Sequence, residues 1–237
     1  MISASKSTLL TLIIAFCFAL LVSAQNDDPA YKESCTSIMV GRLASTDGSV
    51  MTAHTCDAYY RTWVAIVPAM KFANDTIHNV YWGTMHTSSA WSNEKLVLKG
   101  SIPEVRETYG YINTAYPCLN EKQLAIGETT FGGKRELMNK KGMFQIEELE
   151  RVALQRCNTA RQAIKLIGEL IKTYGYGDDG ECITIADKKE VWQLEIMGEG
   201  PDNVGGVWAA QRIPDNHIGI SANLCRKAFS RCKLSRI

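Results

Sequence analysis

A thiol attacks a carbonyl only as the thiolate, and a cysteine free in water loses its proton near ~8.5. Cys35, which opens the run "CTSIMVGRL", needs a base if it is to do such chemistry. Two candidates follow from its position. His54 lies on the strand expected to pair with that of Cys35, although nothing nearby matches the local signatures of papain-like or caspase-like enzymes. The other base appears if the chain is cut between Ser34 and Cys35. The freed α-amine would titrate near ~7.7–8.0 and sits on the same residue as the thiol. One residue then supplies nucleophile and base, as in enzymes with an N-terminal threonine. The plain alternative is a structural thiol or half of a disulfide.

The segment ahead of Cys35 suits removal. Lys6 precedes an apolar run from Leu9 to Val22, and Val22-Ser23-Ala24 has the small residues of a signal-peptidase site. Residues 1–24 are therefore expected to be a signal peptide, and the run is short for a membrane span, which takes about 20 residues. Residues 25–34, "QNDDPAYKES", are polar and without period, and read as a propeptide. The mature protein is expected in the secreted or endolysosomal lumen, without a membrane anchor, and Asn74-Asp75-Thr76 is a glycosylation acceptor for that route. Eight cysteines are present and Cys17 leaves with the signal, so an odd seven remain, which implies a free thiol or an intermolecular bridge. A net charge of +1 gives no pull towards nucleic acid. The four histidines are scattered and no C-x-x-C pair occurs, so no metal site is expected.

The elements that must position Cys35 are mostly strands. "CTSIMVGRL" and "SVMTAH" flank Asp47-Gly48, a hairpin-turn pair. Further strands are expected over 62–70, 79–84, 104–119 and 123–133. Two helices follow, Gln145–Arg156 and Thr159–Thr173. The second opens on the capping box Thr159-x-x-Gln162 and closes at Gly175. "ECITIAD" and "EVWQLEIM" form a second hairpin, and "GGVWAAQRI" and "HIGISAN" end the pattern. "GYGDDGE" lacks a phosphate-binding pattern and reads as a loop. Strands, two helices, then strands point to an antiparallel α+β fold. Residues 224–237 form a basic tail without an acid.

These residues carry a resemblance. "CTSIMVGRLASTDGSV" followed by "HTCD" resembles the start of the N-terminal-nucleophile (Ntn) dipeptidase family that includes bacterial dipeptidase A and the secernins. The match rests on Cys35, Thr36, Ser37, Gly41, Ala44, Ser45, Asp47, Gly48, Ser49 and Asp57. "ETTFGG" (128–133), "ITIADKKEVWQLEI" (183–196) and "ISAN" (220–223) follow in the family's order. The resemblance implies an αββα sandwich of antiparallel sheets covered by helices, over residues 35–223. It also implies Cys35 as nucleophile, its α-amine as base, and neither metal nor organic cofactor. Wider relatives are similar in holding the amine with an aspartate, matched by Asp57, and in lining the oxyanion hole with an asparagine, matched by Asn223. Glu128, Thr129 and Thr130 end a strand on the face that would meet substrate. Members of this family run on well past "SAN", where this chain has its basic tail. The expectation is a partial domain with the C-terminal part of the fold missing and a helix layer underfilled. The expected reaction is hydrolysis of dipeptides. The rivals are an acylase acting on acylated amines and an inactive secreted protein.

Overall fold

The structure is a computed structural model that describes residues 34–58, 60–89 and 92–223. The expected signal peptide, most of the propeptide and the basic tail lie outside the described residues. Period-two alternation builds the sheet that carries Cys35. β1 (Ser34–Val40) turns Cys35, Ser37 and Met39 inward, and β2 (Met51–Asp57) does the same with Thr52, His54 and Cys56. With β14 (Ile218–Ala222) they form an antiparallel sheet of order β14-β1-β2. The β1–β2 connection is wider than a two-residue hairpin, because Val40 pairs with Met51 across residues 41–50. Asp47 still makes a turn there, its Oδ1 accepting from the Ser49 N–H at 3.0 Å and from the Ser49 hydroxyl at 2.7 Å. Gly41 is needed for close approach: a Cβ there would meet the carbonyl oxygens of Pro214 and Asp215 at 2.5 Å.

The second sheet has seven antiparallel strands in the order β13-β12-β11-β10-β9-β8-β3. They are β3 (Ala65–Val67), β8 (Tyr111–Asn113), β9 (Leu119–Asn120), β10 (Ala125–Gly132), β11 (Gly180–Ala186), β12 (Val191–Met197) and β13 (Val207–Arg212). Two ribbons stand apart: β4 (Met70–Lys71) with β7 (Glu107–Thr108), and β5 (Ile77–Trp82) with β6 (Val97–Pro103). The expected strand over 62–70 is split at Pro68, which cannot donate to a ladder, and β6 is a strand whose Gly100 and Pro103 hide its alternation.

One face of the large sheet packs on the small one. Thr184 hydrogen-bonds Thr52 at 2.8 Å, Thr129 meets Ser221 at 3.1 Å, and Met39 packs with Ala186 and Val191. The other face carries Ile126, Ile183, Ile185, Leu194 and Ile196, which bury the apolar stripes of two helices. These are α1 (Ile146–Arg156) and α2 (Ala160–Tyr174). In α2 the Thr159 hydroxyl caps the Gln162 N–H at 3.3 Å, while the Gln162 side chain reaches back to Asn158 rather than Thr159. Ile164, Ile167 and Ile171 are fully buried, each burial contributing about 1.5–3 kcal/mol. The described layers are thus helices, large sheet, small sheet: a mixed α+β fold. The outer face of the small sheet lies open, with Ile38, Met51, Ile218 and Ile220 at 44%, 45%, 60% and 49% exposure.

α1 departs from a simple amphipathic helix, because Glu147, Glu148 and Glu150 are as buried as its apolar stripe. Glu148 meets Arg151 at 2.9 Å and His78 at 3.1 Å, Glu147 accepts from the Thr84 hydroxyl at 3.3 Å, and Asp178 caps the Ile146 N–H at 3.3 Å. Burial penalises the ion and raises Glu128, Glu147, Glu150, Asp178 and Glu181 above the usual carboxylate range, Glu147 from 4.5 to about 8. A carboxyl that holds its proton more tightly when folded contributes stability below its unfolded pKa and loses it as pH rises through the folded value. His54, lowered by burial, has the opposite sign and costs stability as pH falls below 6.5. The five acids outnumber it. The thermal midpoint is therefore expected to fall steadily between pH 4.5 and about 8, and Glu147→Gln should flatten part of that fall. Scanning calorimetry across that range tests this, and a midpoint that climbs with pH would show these acids ionised in the native state.

Candidate active site

Register decides what surrounds the thiol. Antiparallel pairing sets Cys35 directly across from Cys56, and their sulfurs lie 3.7 Å apart. His54 pairs with Ser37 instead, and no hydrogen bond joins its ring to Cys35 among the described residues. The imidazole lies against Gly127, where a Cβ would meet Nδ1 at 2.5 Å, so a glycine is required opposite it. This leaves His54 a half-buried neighbour of the large sheet rather than a base at the thiol.

β10 supplies the next wall. β9 pairs with it only at Ala125, and the Ile126 N–H still donates to the Cys118 carbonyl at 2.8 Å; beyond Ile126 its edge leaves that neighbour and β1 lies beside it. The Ser37 hydroxyl donates to the Glu128 carbonyl at 3.4 Å. The Glu128 carboxyl is fully buried and stands 3.8 Å from both Cys35 Sγ and Cys56 Sγ. It also shares a hydrogen bond with Glu181, and Thr130 Oγ1 donates to it at 3.5 Å. Tyr60 stacks edge-on to Tyr116 at 5.3 Å and closes the Cys56 side. Arg61 holds that segment in place through the Thr84 carbonyl at 2.5 Å, Asn113 at 2.9 Å and the Thr114 carbonyl.

Asn223 directly follows β14, after "ISA", and faces the start of β1. Its Nδ2 donates to the Thr130 carbonyl at 2.8 Å, which fixes the amide orientation. Oδ1 then accepts from the Cys35 backbone nitrogen at 2.5 Å. The Cys35 thiol is held below the usual cysteine range, chiefly because Cys56 donates to it, with help from Asn223 and the Thr130 N–H against the opposing effect of burial and Glu128. Cys56 is pushed far up in return and keeps its proton. Such a pair presents one sulfur primed as a thiolate and one as its donor.

The structure thus brings Cys35, Glu128, Thr130 and Asn223 together. Thr129 points between the sheets, onto the Cys182 carbonyl at 3.3 Å and Ser221. Asp57 pairs with Ser34 at the end of β2 with its side chain on the exposed face, and no hydrogen bond links it to the Cys35 nitrogen among the described residues. Asn74 lies exposed between β4 and β5. Cys56, Glu181, Tyr60 and Tyr116 escape the sequence reading. Of these, only Cys56 had a signal, since it sits inside "HTCD". Cys35, Cys56, Cys118, Cys157 and Cys182 are free thiols, and the pairing of Cys225 and Cys232 lies outside the described residues. A cleft of about 500 Å³ opens at the other end of β2, lined by Val50, Thr52 and His54, and does not include Cys35.

The chain is similar in sequence to known proteins. A probable dipeptidase of Latilactobacillus sakei is 31% identical over 206 residues, covering 80% of this chain and 39% of the relative. A probable dipeptidase B of Lactococcus lactis subsp. lactis (strain IL1403) is 30% identical over 207 residues, covering 81% and 39%. Dipeptidase A of Lactobacillus helveticus is 26% identical over 200 residues, covering 80% and 40%. The chain spans about two fifths of the length of these curated relatives. The profile of peptidase family C69 matches residues 34–229. That match starts one residue before the thiol and runs through both sheets past Asn223, and on it the chain belongs to peptidase family C69.

Proposed function

We propose that the chain is a cysteine dipeptidase that uses Cys35 as its N-terminal nucleophile. The observation that carries this reading is the contact between the Cys35 nitrogen and Asn223 Oδ1, made at the first pairs of a strand in a family C69 chain. Cleavage after Ser34 turns that amide nitrogen into an amine. The amine takes the thiol proton, the thiolate attacks the dipeptide carbonyl, and the ammonium then protonates the leaving amine. Water, activated by the same amine, hydrolyses the thioester. Asn223 serves twice: Oδ1 orients the amine, and the second Nδ2 hydrogen, not needed by Thr130, faces the sulfur where the oxyanion forms. Thr130 contacts substrate beside the thiol, Glu128 backs the thiol from a fully buried position, and Thr129 serves packing. An αββα sandwich completes the reading, with a fourth, helical layer over Ile38, Met51, Ile218 and Ile220. So do a signal peptide over 1–24, a propeptide over 25–34, a glycan on Asn74 and a place in the secretory or endolysosomal lumen.

A panel of free dipeptides and N-acylated amines tests the class. Release of amino acids from dipeptides is expected, and preference for acylated amines would move the reaction to the acylases. In the same assay Asn223→Ala should lower kcat by roughly 10²–10³ with little change in KM, the loss typical of one oxyanion donor. Full turnover by folded Asn223→Ala would remove this residue from the mechanism.

A further inference from the structure

We propose that Cys35, Cys56 and Glu128 form a site for a zinc-like divalent cation, and that its occupation switches the nucleophile off. The three donor atoms are Cys35 Sγ, Cys56 Sγ and Glu128 Oε1. Their separations are 3.7 Å between the sulfurs and 3.8 Å from each sulfur to the carboxylate oxygen. Tetrahedral zinc with ~2.3 Å bonds to sulfur and ~2.1 Å bonds to oxygen needs edges of about 3.8 Å and about 3.6 Å for these pairs. Three vertices of such a tetrahedron therefore stand in place before any cation arrives. Two thiolates and one carboxylate suit a borderline-soft ion and disfavour magnesium or calcium.

The frame that holds the donors is stiff. Cys35 and Cys56 are cross-strand partners, and Glu128 lies on β10, tied to β1 through Ser37. Cys35 is 5% exposed and Glu128 is fully buried. No Lys or Arg pairs with Glu128 among the described residues, so a Glu128 carboxylate ionised on binding would take its countercharge from the cation. Binding displaces a proton from each thiol that carries one, and from Glu128 if it is protonated; these protons go to solvent. The fourth vertex is left to water. Linear spacing does not reveal the site, because its two cysteines are 21 residues apart and meet only through strand register. A Cys35 sulfur held by zinc has no free pair for a carbonyl. That consequence rests on the reading of Cys35 as the nucleophile, whereas the binding does not.

The test titrates cobalt(II) chloride into the purified chain under a non-chelating reductant. One equivalent should give a thiolate-to-cobalt charge-transfer band with intense tetrahedral ligand-field bands, and zinc chloride should displace it. Cys56→Ser should cut the charge-transfer intensity by about half and weaken binding by more than the roughly 10–100-fold that loss of an outer-shell partner costs. Glu128→Gln should weaken binding but keep that intensity, and Cys118→Ser should change neither. Circular dichroism checks that each variant is folded. Undiminished charge transfer in Cys56→Ser overturns the proposal, as does no band in the folded parent. A Cys35–Cys56 disulfide that survives the reductant overturns it too. Dipeptide hydrolysis with and without zinc is measured separately. Cobalt binding without loss of turnover would overturn the switch and the nucleophile assignment while leaving the site. Binding absent with robust turnover would do the reverse.

Discussion

Cys35→Ala is expected to lower dipeptide turnover by roughly 10³-fold or more, to the level left by binding and oxyanion contacts alone. A methyl group can neither attack a carbonyl nor leave as a thiol, so no rearrangement nearby restores the step. Cys35 packs between Cys56 and Glu128 at the end of a sheet, away from the apolar core beneath the helices, and its truncation should leave the fold intact. Cys118→Ala is the matched control. That thiol is half-buried and unbridged, so its loss should cost about 1 kcal/mol of stability or less and leave kcat near the parent value. Steady-state rates and thermal midpoints for the two variants decide the matter. Parent-like hydrolysis by Cys35→Ala would end the assignment of the nucleophile, and a collapse of activity in Cys118→Ala with the midpoint unchanged would point to a second thiol in the chemistry.

The second large effect belongs to the Ser34–Cys35 bond. While it is intact, the nitrogen on Asn223 is an amide, which has no basic lone pair and can only donate. Once it is cut, the same nitrogen is an amine near neutrality, still held by the same acceptor. Ser34 occupies the first place of β1, where a proline is tolerated, so Ser34→Pro should block processing without disturbing the sheet. The uncut form is expected to turn over roughly 10²–10⁴-fold more slowly, the usual contribution of a positioned base. Intact-mass measurement on active and inactive fractions should show a mature chain beginning at Cys35 only in the active one. Full activity in material that retains residues 25–34 would exclude the amine as base.

The strand that carries Cys35, the two helices, the capped start of α2 and the hairpin of β11 and β12 were all legible in the sequence, because each rests on interactions within a few residues. Period-two alternation placed Cys35, Ser37 and Met39 on one face, and the 3.6-residue stripe placed Ile164, Ile167 and Ile171 on another. The choice of Cys35 for chemistry was also local, resting on a thiol that follows a polar segment without period in a recognisable run. Tertiary structure alone decided the company the thiol keeps. Whether His54 or Cys56 stands opposite Cys35 depends on strand register, and a shift of one residue would have turned the whole inward set outward. Asn223 reaches the Cys35 nitrogen across 188 residues because β14 pairs with β1. The acids of α1 lie buried beside Thr84, His78 and Arg151, since strand β5 and the turn that follows it, far away in sequence, close over that side of the helix. Propensity and periodicity report what each segment prefers. Which segments meet is settled by burial of surfaces far apart in sequence, and the chemistry of this site arises at that meeting.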